Sequence, residues 1–522
     1  LLIASLVGLW VRGQFVADKA VRPAKEAVLA MVTDLDAKPV MGTQRIAPPE
    51  EAPNIVLIVA DDLGWRDVGY NFSEIRTPTI DRLAATGITL NRFYVQPSCS
   101  PTRAALMTGK SPMRLGILNP LSKNNPTGLP LEETTLANAL GSAGYQTALT
   151  GKWHLGARNR AYLPNYRGFD HFYGNLTGGV GYFDKVHGGG YDWQRNGKTV
   201  RDDHYATRLI ANEAIDVIEA RDTEKPLFLY VAFGAPHMPN EAPDATIAQY
   251  KDIKNENRRI HAAMVTEMDT AIERIRRALG AEGMEDNTLI WFMSDNGGLF
   301  PSHPARHLPD AVLGWAAERQ LEVELTPRSL EFMTTNLRNG GSDNRPFQGG
   351  KGSVQEGGVR VPSFIHWPAQ FEPKSYNYMA TVQDVAPTLM QITNASPGGA
   401  SFDGRSLWRA LKSNTSAPVM DYVVVARAIS NANAIYRYPY KLIEEDGAQR
   451  LFDLEADPLE LQDIAKREAE IVQHLSRALA AFPRGEIIAL SAQEIVQDTD
   501  FFGGQEDREP WAERAYDPAP PD

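Results

Sequence analysis

The chain has 522 residues, 43% hydrophobic and 23% charged, ordinary for a globular protein and long enough for two or more domains. Its formal net charge of −12, from 53 basic and 65 acidic residues, gives no overall attraction for nucleic acid, although a local basic pocket for a small anion is compatible with it. A single cysteine, Cys99, excludes intrachain disulfides and leaves packing, redox chemistry or catalysis as its uses.

Residues Leu1 to Val11 are apolar except for Ser5, and Arg12 ends the run. The run is too short to span a bilayer and has the length of a signal-peptide apolar region. An export signal is the preferred reading, ahead of a membrane anchor and of a buried helix. It places the protein in the periplasm or outside the cell. Residues 13 to 52 read as a linker with helix over Val21 to Asp34. They end in the turn-rich Ala47-Pro48-Pro49-Glu50-Glu51-Ala52.

Order begins at Asn54-Ile55-Val56-Leu57-Ile58-Val59-Ala60, an apolar β-branched run of the kind buried on both faces of a parallel sheet. Asp61 and Asp62 follow it. A helix is expected over Thr79 to Gly87 and a strand over Ile88 to Val95, feeding Cys99. Pro101 suits a first helical turn, Ala104 to Met107 are helix formers and Gly109 suits a helix end. Cys99 is thus expected beside a positive helix N-terminus, with Arg103 one turn further on. A buried, inert Cys is the competing reading at this point.

Further along, Leu131 to Gly144 reads as a helix and Tyr145 to Thr150 as a strand running into Gly151-Lys152-Trp153-His154. Tyr205 to Ala220 reads as a helix, and Pro226 to Phe233 as a strand ending before His237. Arg258 to Leu279 is amphipathic, with Met264, Met268, Ile272, Ile275 and Leu279 as core. Thr288 to Met293 is a strand ending in Ser294-Asp295-Asn296-Gly297-Gly298. Residues 299 to 347 read as an insertion with a helix near Leu330 to Asn336. Lys351 follows in a Gly-rich segment, and Val361 to Trp367 is a strand.

This alternation predicts an α/β fold with a mostly parallel central sheet sandwiched by helices. Beyond residue 398, short strands at Tyr422 to Arg427, Ala434 to Tyr438, Tyr440 to Glu444 and Arg450 to Leu454, then a helix over Asp463 to Ala481, predict a smaller α+β domain with an antiparallel sheet. The expected division is 1–52 leader and linker, 53–397 catalytic domain, 398–496 C-terminal subdomain and 497–522 acidic, Pro-rich tail.

Four strand ends carry reactive residue types, the place where α/β sheets bind ligands. Asp61, Asp62, Asp295 and Asn296 offer oxygen ligands, which suit Ca²⁺ or Mg²⁺. Lys152 and His154 share one face of an extended segment and suit anion binding and proton transfer. Each feature alone is more often a turn, a cap or a packing residue; their recurrence favours a site. His303 and His307 are placed at its edge, and His171, His187 and His366 are left as structural.

The stretch Cys99-Ser100-Pro101-Thr102-Arg103, with Thr108-Gly109 after it, resembles the signature of the formylglycine-dependent sulfatases; Lys110 stands where that family more often has Arg. The resemblance extends over about residues 53 to 460. It takes in the Asp61-Asp62 strand end, Gly151-Lys152-Trp153-His154-Leu155-Gly156, Pro236-His237, Ser294-Asp295-Asn296-Gly297-Gly298, Lys351-Gly352 with Glu356-Gly357-Gly358, and Leu451-Phe452-Asp453-Leu454. It is nearest to the arylsulfatase B-like branch and implies an alkaline-phosphatase-like fold and hydrolysis of aryl or carbohydrate sulfates.

The resemblance further implies that Cys99 is converted to formylglycine by a formylglycine-generating enzyme and that its hydrated form is the nucleophile. It implies Ca²⁺ held by Asp61, Asp62, residue 99, Asp295 and Asn296. Arg103, Lys152, His154, His237 and Lys351 complete the implied catalytic set. A phosphate or phosphonate ester hydrolase, or a glycan binder with unconverted Cys99, are the alternatives.

Overall fold

The computed structural model describes residues 52–486 and 488, apart from 124, 126, 188–189, 300–307, 322–329, 331–338, 400, 414, 416–422 and 428–431. The expected leader, the helix at Val21 to Asp34, most of that at Leu330 to Asn336, His303, His307 and the tail lie outside these residues.

The apolar run Asn54–Ala60 forms β1 of a ten-stranded sheet. Its other strands are β2 (Ile88–Leu90), β3 (Gln146–Gly151), β4 (His171–Gly174), β5 (Gln194–Arg195), β6 (Lys198–Thr199), β7 (Leu227–Ala232), β8 (Thr288–Ser294), β9 (Ser363–His366) and β10 (Lys374–Tyr376). In these labels the order across the sheet is β10-β2-β9-β8-β1-β7-β3-β4-β5-β6. The central strands β8, β1, β7, β3 and β4 are parallel. By contrast β9 is antiparallel to β8 and β2, and β5 and β6 close the far edge antiparallel. The sheet is therefore parallel at its centre and mixed at its margins.

Because side chains alternate along a strand, β1 feeds two cores. Ile55, Leu57 and Val59 join one; Val56, Ile58 and Ala60 join the other. The longer helices on the sheet are α1 (Pro78–Ala85), α2 (Cys99–Thr108), α3 (Leu136–Ser142), α4 (Ala206–Glu219), α5 (Glu256–Ala281) and α6 (Val385–Thr393). The first core packs under α2, α3 and α6, and the second under α1, α4 and α5. The side chain of Asn255 caps α5 by accepting from the Arg258 amide at 3.0 Å. As the spacing predicts, Met264, Met268, Ile272, Ile275 and Leu279 of α5 are buried; each such side chain is worth about 1.5–3 kcal/mol of burial.

Three boundaries differ from expectation by more than two residues. The strand expected over Ile88 to Val95 breaks at Asn91-Arg92 into β2 and the pair Phe93–Tyr94. The helix expected from Leu131 begins only at Leu136, because Thr135 Oγ1 caps it by accepting from the Asn138 amide at 3.0 Å. The last helix begins at Ala469 rather than Asp463, whose carboxylate accepts from Leu451 N and Ala465 N and holds a turn instead.

The C-terminal subdomain is an antiparallel sheet of β11 (Val423–Arg427), β12 (Ala432–Arg437), β13 (Tyr440–Glu445) and β14 (Ala448–Asp453), with α7 (Ala469–Ala480) on one face. Its other face, through Val425, Tyr436, Ile443 and Phe452, packs against Tyr94, Val354 and Val359 of the larger domain. No helix among the described residues is long and apolar enough to cross a membrane.

Candidate active site

Four adjacent strands of the sheet, β8, β1, β7 and β3, end on the same edge. Their C-terminal ends place Asp295, Asp61, His237 and Lys152 around one space. Asp62 has φ of 65°, a left-handed conformation that Asp tolerates better than most residues. The Asp62 amide donates to Asp295 Oδ1 at 3.3 Å, and the Asp295 amide donates to Ala60 O at 3.0 Å.

Cys99 is the first residue of α2, and Ser98, in extended conformation, is its N-cap without a side-chain capping bond. All ten residues of α2 are buried. Cys99 Sγ lies 3.4 Å from Asp61 Oδ1. Arg103, one turn on, reaches inward rather than to solvent. Its Nε and Nη2 donate to Asp295 Oδ2 at 3.0 and 2.8 Å, and its Nη1 donates to Lys152 O at 2.9 Å. Lys152 Nζ sits 2.5 Å from Asp61 Oδ2 and Lys351 Nζ 2.8 Å from Asp62 Oδ2. His237 Nε2 lies 3.8 Å from Asp62 Oδ2, with Nδ1 held at 2.6 Å from Met238 O.

His154 belongs to the same wall, where its ring Nε2 is 3.0 Å from Leu121 O. Ser100, the neighbour of Cys99, donates to His154 O at 2.9 Å and accepts from the Leu121 amide at 3.0 Å, tying α2 to the histidine segment. Gly178 and Gly179 lie against both histidine rings: a Cβ on Gly178 would sit 2.7 Å from His154 Cε1, and one on Gly179 3.0 Å from His237 Nδ1. Of the three histidines read as structural, His171 pairs with Glu213, and His366 meets Thr86 Oγ1 at 3.2 Å.

Burial opposes ionisation of Asp61, yet the charges of Lys152 and His237 outweigh it and hold its carboxyl below the usual range. Asp62 behaves alike: burial is opposed by Lys351 and then His237. Lys351 is disfavoured by burial but raised by Asp62 and its neighbours, so it stays charged. Burial, with Lys351 adding to it, lowers His237 below the ordinary imidazole value. Burial pushes the Cys99 thiol up, and Asp295 and Asp61 push it further. An unmodified Cys99 is therefore a protonated thiol and a poor nucleophile.

Asp61, Asp62, Cys99 and His237 each offer a ligand atom, all within 4.8 Å of one another, a grouping able to hold a metal ion. Asn296 fits the same purpose. Its Nδ2 donates to Asp62 Oδ1 at 2.7 Å, while its buried Oδ1 has no hydrogen-bond partner among the described residues. A buried carbonyl oxygen without a donor, beside three carboxylates, suits a hard cation. His237, placed by the sequence only in the implied catalytic set, joins this cluster as a candidate ligand.

Sequence reasoning missed the residues that hold these loops. Ser294 Oγ accepts from the Leu63 amide and donates to Asn296 O at 2.8 Å. Asn344 Oδ1 accepts from the Gly298 amide at 2.8 Å. Asp67 accepts from the Gly64 amide at 2.9 Å and from His261 Nε2, and it pairs with Arg258. Ser294 is the polar end of an apolar strand, whereas Asp67 and Asn344 lie in turn or loop segments with other polar residues and no period marks them.

Among known proteins, the sulfatase family model matches residues 53–395. The model for the C-terminal part of N-sulphoglucosamine sulphohydrolase matches residues 350–484, a stretch running from the Lys351 loop through the C-terminal sheet. Arylsulfatase J of Mus musculus is 30% identical over 512 residues, covering 87% of this chain and 79% of that protein. Arylsulfatase G of Rattus norvegicus is 31% identical over 408 residues, covering 70% of each. Among solved structures, that of Ps i-CgsB in complex with k-i-k-neocarrahexaose is 31% identical with a TM-score of 0.73, covering 84% of this chain and 95% of that one.

Proposed function

This chain belongs to the sulfatase family and hydrolyses sulfate esters, and we propose that it does so through an oxidised Cys99 beside a bound divalent cation. The observation that carries the proposal is convergence: Cys99 Sγ and Lys152 Nζ both meet the carboxylate of Asp61, and Lys351 Nζ meets that of its neighbour Asp62.

Asp61, Asp62, Asp295 and Asn296 would hold the cation, with Ca²⁺ favoured by the all-oxygen set, and it would supply positive charge to the sulfuryl oxygens and the nucleophile. Residue 99, oxidised to formylglycine and hydrated, would supply a hydroxyl that attacks sulfur and a second hydroxyl whose deprotonation expels sulfate. A plain Ser or Cys lacks the second hydroxyl and would be trapped as its sulfate adduct.

The chain's own residues do the rest. Arg103 fixes Asp295 through two bonds and holds the Lys152 carbonyl, so it positions the site from behind. Lys152 and Lys351 are preorganised ammonium groups for the sulfuryl oxygens. His237, with Nδ1–H held by Met238 O, directs Nε2 to the pocket and delivers a proton to the leaving oxygen from its imidazolium form, which the charges of Asp62 and Asp61 favour against burial. His154 takes the proton from the second hydroxyl of residue 99.

The substrate class is a sulfate monoester of a phenol or sugar. Two relatives bear arylsulfatase names and a third was crystallised with a neocarrahexaose, so aryl sulfates and sulfated oligosaccharides are the substrates to compare. The apolar run at Leu1 to Val11 supports export, which cell fractionation checks.

Mass spectrometry of the tryptic peptide spanning Cys99 tests the mechanism. Conversion of the thiol to the aldehyde lowers the peptide mass by about 18 Da. Full activity from protein whose Cys99 remains a thiol overturns the mechanism. Matched aryl sulfate and phosphate monoesters test the class: faster turnover of the phosphate overturns the assignment of sulfate as the natural leaving anion.

A further inference from the structure

Glu356 is fully buried, yet it lies outside the strand ends that form the site. Its carboxylate accepts from Tyr94 Oη at 2.9 Å and Tyr436 Oη at 3.4 Å, and from Lys441 Nζ at 3.1 Å, with Arg360 Nη1 at 3.6 Å. Its amide donates to Glu460 Oε2 at 2.8 Å, and Glu460 pairs with Lys441 at 2.6 Å. Tyr436, Lys441 and Glu460 belong to the C-terminal subdomain, and all are buried. Gln348 adds two bonds from its Nε2 to the carbonyls of Leu459 and Glu460, both 3.0 Å.

The segment so gripped is the one that carries Lys351. Its backbone touches both halves of the site. Lys351 N donates to Gly298 O at 3.1 Å, and Gly297 N donates to Gly358 O at 2.9 Å, next to Asp295 and Asn296. Gly352 N donates to Pro97 O at 2.7 Å, two residues before Cys99. A Cβ on Gly358 would stand 2.0 Å from Ser353 O, so the segment is folded back on itself with no slack. Tyr94, which donates to Glu356, lies on the strand leading to Cys99.

We propose that Glu356, clamped by Lys441 and Glu460, is a positioning residue for Lys351, so that the C-terminal subdomain sets the geometry of sulfate binding. The proposal rests on the sulfatase reading, in which Lys351 meets the sulfuryl oxygens. Two buried carboxylates share Lys441, and Arg360 lies near Glu356. Making one of them neutral frees the segment without emptying the space, since Gln fills the volume of Glu.

The test uses the full chain with Glu356→Gln and Lys441→Arg. In E356Q the KM for a chromogenic aryl sulfate and the inhibition constant for inorganic sulfate should both rise about tenfold, as loss of a charge-assisted hydrogen bond predicts. The value of kcat should change less. K441R, which keeps the charge, should stay within about threefold of the parent, the spread expected of a retained contact. Hydrogen–deuterium exchange supplies a readout free of turnover: amides of 348–359 should exchange faster in E356Q while those of β1 do not. A lowered melting temperature with unchanged inhibition constant and unchanged exchange in 348–359 marks Glu356 as merely structural and overturns the proposal. If the parent protein neither turns over sulfate esters nor binds sulfate, the sulfatase reading fails instead, and the exchange data alone then decide whether the subdomain grips the segment.

Discussion

Two buried charge clusters lie on either side of residue 351, and they are built from the same parts. At the strand ends, Asp61 and Asp62 face Lys152 and Lys351. At the domain junction, Glu356 and Glu460 face Lys441 and Arg360. In the second cluster both oxygens of Glu356 have partners and phenol hydroxyls complete the set. In the first, the side chains point into a common space and Asn296 Oδ1 is left without a donor. Burial of charge is therefore not the mark of a site. A cluster whose charges are paired within it, as Glu460 Oε1 is with Lys441 at 2.6 Å, holds structure together, and one that leaves an oxygen with neither donor nor cation has room for a ligand.

That contrast can be broken most severely at Cys99. Cys99→Ala should remove activity on the order of 10⁵-fold, as loss of a nucleophile does, with little change in the melting temperature. Steady-state turnover of an aryl sulfate by folded protein checks it; appreciable residual turnover would place the nucleophile elsewhere. Next in size, Asn296→Ala takes away the orphaned oxygen. Activity should fall about 10²- to 10³-fold, the loss typical of one preorganised group. Chelation followed by Ca²⁺ addition should restore the parent enzyme and leave the variant unrescued.

The closed cluster should answer in stability as well as in sulfate affinity, and least in kcat. Lys441→Met strands two buried carboxylates and should cost about 3–5 kcal/mol in denaturant unfolding. A loss below about 1 kcal/mol, the scale of an exposed pair, would mean the cluster is solvated. The smallest effect concerns pH. Burial raises the Glu460 carboxyl against the opposing charge of Lys441. The native state then holds that proton more tightly than the unfolded chain. Its contribution is complete below the unfolded value of 4.5 and is lost as pH rises through the higher folded value. Glu460→Gln should flatten the melting-temperature profile on the alkaline side of 4.5. Asp67 has the opposite sign. Although burial raises it, His261 and Arg258 hold its carboxyl well below 3.8. Its stability is present above 3.8 and fades as acid is added, so Asp67→Asn should flatten only that acid limb.

The same contrast explains what could be read in the sequence. The run Asn54 to Ala60 declares a doubly buried strand, and Asp61-Asp62 stands out at its end because polarity changes abruptly there. The four strand ends, Cys99 and Arg103 were legible for that reason, and the family signature supplied the residue roles. The junction was not. Glu356 was quoted within a motif, but Lys441 and Glu460 lie 85 and 104 residues away from it. No local period announces such pairing. Likewise Asn344 sits in a stretch that read as an insertion, yet its side chain ties down Gly298. The starts of α3 and α7 shifted because Thr135 and Asp463 bond backbone amides locally, a competition that hydrophobic spacing does not register.

If Cys99 is oxidised as proposed, the complete burial of α2 also imposes an order of events on the life of the chain. A catalyst that oxidises Cys99 needs the segment as exposed, extended peptide, and in the finished fold Cys99 is 1% accessible. On the proposed oxidation of Cys99, maturation and folding would be in a race. The contacts that close the site span long stretches of sequence, 234 residues from Asp62 to Asn296 and 289 from Asp62 to Lys351. Long-range contacts form slowly, and that delay is the interval in which the thiol is still within reach. A variant that folds faster would, on this view, emerge more stable and less often mature.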